Sequence, residues 1–175
     1  DVCSSDLTKQ YFEGICKIEL ILVENFTDLF LDFKGELQRI WVNKTLIYYN
    51  HETPDCSGLY NGSIIVISKD FLRPHLNNIT IEYKGLPMSE SRGLHREDSD
   101  GKEYFYYTLS EPNYTSLFMP IIGQLNVKGS FKLYVHHPVG FYAMSNNELK
   151  RRGSLKDDSF FEDLLERFEK VSKFM

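Results

Sequence analysis

The chain has 175 residues, with 20 Lys and Arg against 25 Asp and Glu, a formal charge of −5, and 42% hydrophobic and 14% aromatic residues. That length suits one domain. Mild acidity without a basic stripe argues against nucleic acid as a partner, and no apolar run approaches the roughly 18 residues of a membrane span, so no direct membrane contact is expected.

The first seven residues, Asp1-Val-Cys-Ser-Ser-Asp-Leu7, read as the translation of a common sequencing-adapter end (GAC GTG TGC TCT TCC GAT CT). They are expected to be a library scar and are set aside before fold reasoning. Residues 8–175 are then expected to form one domain, incomplete at both ends. Without the scar's two Asp the charge is −5 + 2 = −3. Two cysteines remain, Cys16 and Cys56, which can form one bridge or stay as thiols with one of them on a buried strand face; two Cys make no disulfide framework.

From Gly14 to Val23, Cys16, Ile18, Leu20 and Leu22 alternate with Lys17 and Glu19, the period of a half-buried strand. Asn25-Phe-Thr27 reads as a turn and Leu29 to Phe33 as a second strand. Lys34-Gly35 leads into Leu37–Val42, and Asn43-Lys-Thr45 connects that strand to Leu46–Tyr49. His51 to Asn61 is a loop, and Ser63–Ser68 is an apolar run of strand length. Ile79, Ile81 and Tyr83 alternate with Thr80, Glu82 and Lys84; Tyr104–Thr108 is an aromatic strand; Phe131, Leu133 and Val135 alternate with Lys132, Tyr134 and His136. Six or more short strands with frequent turn signals predict a mainly β, antiparallel sandwich.

The end of the chain departs from this pattern. Phe160, Phe161, Leu164, Leu165, Phe168 and Val171 recur at helical spacing after the acidic Asp157-Asp-Ser159 start, which predicts one C-terminal amphipathic helix over Ser159–Lys173. Its polar face is acidic, so it suits a packed surface helix better than an anionic membrane. Lys150-Arg-Arg152 is too short a basic cluster to be more than a solvated loop.

No catalytic metal site is expected. His51-Glu-Thr-Pro-Asp55 ends in Asp instead of a second His, and Pro54 bars the helix that would put two ligands on one face. His75, His95, His136 and His137 lack a Cys or carboxylate at ligand spacing. Five Asn-x-Ser/Thr acceptors occur, at Asn25, Asn43, Asn61, Asn78 and Asn113, where ten Asn and 22 Ser and Thr give about one by chance. The excess favours a glycoprotein, secreted or tethered as an ectodomain, over a cytoplasmic chain. The other reading is that these tripeptides simply suit strand ends and turns.

The stretch from Gly93 to Phe131 resembles the core signature of the N-terminal domain of zinc aminopeptidases of the aminopeptidase N type, roughly GLHR…DG..Y.YTQFEP...R..FPCFD.P..KA.F. Aligned without a gap, Glu111-Pro112 meets the family's Glu-Pro, Pro120 its FPC proline, Lys128 its KA lysine and Phe131 its closing aromatic. Leu133–Pro138 and Ala143–Asn146 continue the likeness, as do Phe12–Gly14 and Leu31–Gly35 upstream. The resemblance implies a curved, saddle-like β-sandwich. It implies a hydrolase whose zinc sits in a downstream catalytic domain of the same chain, with no zinc and no catalytic residue in this segment.

It also implies that Glu111 binds the ammonium of a peptide N-terminus, the bland alternative being a solvated turn acid before Pro112. Leu109 replaces a Gln that helps line the family's first specificity pocket. Ser116 and Gly123 replace an Arg and an Asp able to pair beneath the cleft, and Ile121 replaces a Cys. These departures keep open a second reading, an aminopeptidase-like scaffold without catalysis. A third, an independent extracellular adhesion module, fits the cut ends poorly.

Overall fold

The computed structural model describes residues 11–50, 58–88, 90–99, 103–124, 127–137 and 140–149, and the backbone of 2–4. The chain divides into two units, Asp1–Phe141 and Tyr142–Met175. In the second, residues 142–149 hold neither helix nor strand, and the helix expected over Ser159–Lys173 lies outside the described residues.

Among the described residues the first unit holds ten strands: β1 (Val2–Ser4), β2 (Phe12–Leu22), β3 (Leu29–Asp32), β4 (Glu36–Val42), β5 (Thr45–Tyr49), β6 (Ile64–Ile67), β7 (His75–Gly85), β8 (Gly93–Ser99), β9 (Glu103–Leu109) and β10 (Tyr134–His136). Six form a sheet in the order β10-β1-β2-β7-β4-β5, β3 pairs with β6, and β8 pairs with β9. Every pairing is antiparallel except β1 with β10. The chain is therefore mainly β and antiparallel, as its alternation predicts. The lead residues Val2–Ser4 pair with β2 and β10 through the backbone.

The six-stranded sheet and the β3–β6 pair share one core. Ile40, Val42, Ile79, Ile81 and Tyr83 from the large sheet meet Leu31, Phe33, Ile65 and Ile67, all at most 1% exposed. Each such side chain contributes about 1.5–3 kcal/mol of burial. The Tyr83 ring meets Phe33 edge-on at 5.0 Å and occupies the space that a side chain at Gly14 would need. Cys16 is buried here too, its Sγ 3.7 Å from the Pro120 carbonyl oxygen. Its pairing with Cys56 lies outside the described residues.

Three expectations need amending. β7 runs from His75, well before Ile79, because Asn77 is buried and fully hydrogen-bonded in place of an apolar residue. Glu82, in the alternation only one of the polar residues, is nearly buried, its carboxylate 2.9 Å from the Arg39 guanidinium on the outer face of the large sheet. The alternation at Phe131–His136 yields only the short β10, with Phe131 64%, Leu133 54% and Val135 44% exposed. β10 is an edge strand paired to three backbone residues, so it has little partner surface to bury that face against.

Candidate functional site

Glu111 lies two residues past the end of β9, in a turn that Tyr114 closes by donating its N–H to the Ser110 carbonyl at 2.8 Å. A 3-10 turn over Tyr114–Leu117 comes next, and then Met119 and Pro120 descend into the core. The far side is stitched to the second sheet. Asp32 and Ile121 exchange two backbone hydrogen bonds at 2.8 and 3.0 Å, and the Lys34 N–H donates to the Ser116 carbonyl at 2.7 Å. Glu111 is exposed on this clamped segment, and the Glu111–Pro112 peptide bond is cis. Among the described residues its carboxylate makes no hydrogen bond or ion pair.

Leu109 is the last residue of β9, 40% exposed and opposite Gly93. Gly93 has φ +61°, and a Cβ there would lie 2.8 Å from the Leu117 Cβ. The glycine thus lets the β8–β9 ribbon pack against the turn that carries Glu111. Arg92, one residue earlier, lies over the Tyr114 ring at 5.5 Å. Leu109 and Glu111 therefore share one end of the ribbon.

Ser116 and Gly123 stand where the resemblance implies an Arg and an Asp able to pair. The Ser116 hydroxyl donates to the Asn113 carbonyl at 3.3 Å, and the Asp32 carboxylate fills the space where a side chain at 123 would start. Backbone bonds to β3, not an ion pair, hold the loop, and an acid from β3 stands beside the vacated position. Lys128 is exposed, outside any strand.

Sequence reasoning missed a cluster beneath the ribbon. His95 is 4% exposed, with Nδ1 3.0 Å from the Glu90 carbonyl oxygen and Nε2 2.9 Å from the Glu97 carboxylate. The Tyr107 ring lies tilted against it at 4.8 Å between ring centres, and its hydroxyl meets that of Ser91. Both ring nitrogens face oxygens that can only accept, so the imidazolium satisfies both and the neutral ring only one. The Glu97 hydrogen bond, against the opposing effect of burial, raises the His95 pKa above the ordinary imidazole value. The folded state then favours the charged form. Its contribution is fully present below about pH 6.5 and is lost as pH rises through the higher folded value. We expect the wild-type denaturation midpoint to fall over that rise and the fall to be smaller in His95→Gln, as read by urea titrations across the window.

Among the described residues no group of three or more His, Cys, Asp or Glu could hold a metal ion.

The described residues form an antiparallel β-sandwich that exposes Glu111 on a clamped turn just past its β8–β9 ribbon. The chain belongs to the peptidase M1 N-terminal domain family, which it matches over residues 3–172. No curated protein sequence matches it. Among solved structures it is similar to native yeast LTA4 hydrolase, at 17% identity and a TM-score of 0.58, over 77% of this chain and 21% of that one. At that identity the likeness concerns the fold, and this chain spans about a fifth of the other's length.

Proposed function

We propose that this chain is the N-terminal domain of a zinc-dependent aminopeptidase and that Glu111 anchors the ammonium of the substrate peptide. An exopeptidase must measure one residue from the chain start, which calls for a carboxylate on rigid structure at a fixed distance from the bond to be cut. The observation that carries the reading is the exposed Glu111 carboxylate on a turn closed by Ser110 and Tyr114 and stitched to β3. The zinc that would activate water in such an enzyme belongs to a downstream catalytic domain of the same chain, which is this segment's other partner. The excess of glycosylation acceptors favours an ectodomain.

The replacement of Gln, Arg and Asp by Leu109, Ser116 and Gly123 supports the runner-up, a family member that has lost catalysis and serves as a scaffold. The gene downstream of Met175 discriminates. The enzyme reading requires Gly-Ala-Met-Glu-Asn, then His-Glu-x-x-His and a later Glu; a chain lacking the His-Glu-x-x-His is the scaffold.

Leu109 removes an amide donor and acceptor from the first pocket and leaves an exposed apolar side chain beside Glu111. Substrates headed by Leu or Phe are expected to turn over faster than those headed by Arg, by about 10-fold for the few methylenes buried. Equal kcat/KM for Arg- and Leu-headed substrates would remove Leu109 from the pocket.

A further inference from the structure

We propose that Asn61 carries an N-linked glycan and that Asn43, although it has the same acceptor tripeptide, carries none in the folded protein. The five acceptors differ in what their amide nitrogens already do. Glycosylation joins Nδ2 to C1 of a lipid pyrophosphate-linked oligosaccharide. The N–C bond forms, the bond from C1 to the pyrophosphate oxygen breaks, and Nδ2 gives up one proton. Only one N–H then remains, beside a large substituent.

At Asn43 both N–H groups are engaged. Nδ2 donates to the Asn77 Oδ1 at 2.8 Å and to the Phe71 carbonyl at 3.2 Å, while Oδ1 accepts from the Asn78 N–H at 3.1 Å. Asn77 is 0% exposed. Its own Nδ2 donates to the Arg73 and His75 carbonyls, and its Oδ1 also accepts from the Arg73 N–H. A sugar on Asn43 would sever one of the two bonds and press against this packed knot at the β4–β5 turn. Losing one such hydrogen bond costs about 0.5–1.5 kcal/mol before any steric cost is counted.

Asn61 is the opposite case. Its Oδ1 accepts from the Ser63 and Ile64 N–H groups at 3.0 and 2.8 Å, an Asx turn that fixes the amide by its oxygen. Nδ2 makes no hydrogen bond among the described residues, and Asn61 and Ser63 are exposed. The middle residue, Gly62, has open space where a Cβ would stand. The turn therefore holds the oxygen inward and leaves the nitrogen to solvent, so a glycan there disturbs no bond that the fold uses.

The test is site-by-site occupancy. Full-length protein from its own cells is treated with peptide-N-glycosidase in heavy-oxygen water, and each acceptor peptide is read by mass spectrometry. The expected result is a heavy-oxygen Asp at 61 and unmodified Asn at 43. An unmodified Asn61, or a marked Asn43 in folded protein, overturns the proposal. Asn61→Gln should lose the mass of one glycan with the folded yield kept. Asn43→Gln should lose none while lowering the denaturation midpoint, and a mass loss there counts equally against the proposal. Failure here leaves the reading of Glu111 untouched, because the two rest on different loops and different measurements.

Discussion

Glu111→Gln in the full-length protein is expected to lower kcat/KM for peptides with a free N-terminus by about 10- to 150-fold. The figure follows from the roughly 1.5–3 kcal/mol that a hydrogen bond to a charged group contributes. The substitution keeps the shape and removes only the charge. Glu111 is exposed and makes no hydrogen bond or ion pair among the described residues, so the fold loses nothing measurable. An unchanged denaturation midpoint accompanies the expected loss of activity.

The distinguishing arm uses a competitive inhibitor and its des-amino analogue. Wild type should prefer the amine-bearing compound, Glu111→Gln should bind both alike, and the analogue's affinity should be the same for the two proteins. If the variant still prefers the amine by the wild-type margin, the carboxylate is a turn acid and nothing more. If kcat falls with no change in this preference, the turn positions some other group.

Glu111 could be singled out from the sequence because its neighbours carry a pattern, and most strands because their apolar residues alternate. Cys16, Ile79 and Ile81 fall inside as their spacing predicts. β8 was invisible for the opposite reason. Gly-Leu-His-Arg-Glu-Asp-Ser has no apolar period, and it becomes a strand because β9 offers it a full ladder from Gly93↔Leu109 to Ser99↔Glu103. The histidine spacing does not single out His95, since its acceptors come from its own strand and from the loop before it. Periodicity also misjudged Phe131–His136, because alternation shows that a strand is feasible and not that a second layer exists to cover it. The asparagines behave likewise: one tripeptide describes Asn43 and Asn61, and only the fold shows that one nitrogen is committed and the other is open.

The second large effect is expected on stability, at the row Tyr49–Arg39–Glu82–Ile15, where four neighbouring strands align side chains across the outer face of the large sheet. Arg39 and Glu82 meet at 2.9 Å with side-chain exposures of 14% and 12%, and the guanidinium also lies over the Tyr49 ring at 4.9 Å. Removing one partner of a buried pair costs about 3–5 kcal/mol because the other charge stays desolvated. The remaining exposure places Glu82→Leu near the lower end, about 3 kcal/mol.

The same reasoning makes the double variant informative. Arg39→Leu with Glu82→Leu leaves no orphaned charge and adds apolar contact beside Ile15, so it should be more stable than Glu82→Leu alone and approach wild type. Chemical denaturation of the two singles and the double closes the cycle. If the double loses the sum of the singles, the two side chains act independently. The strand register is then held by the backbone ladder and the inner apolar face, and the ion pair between β4 and β7 has no part in it.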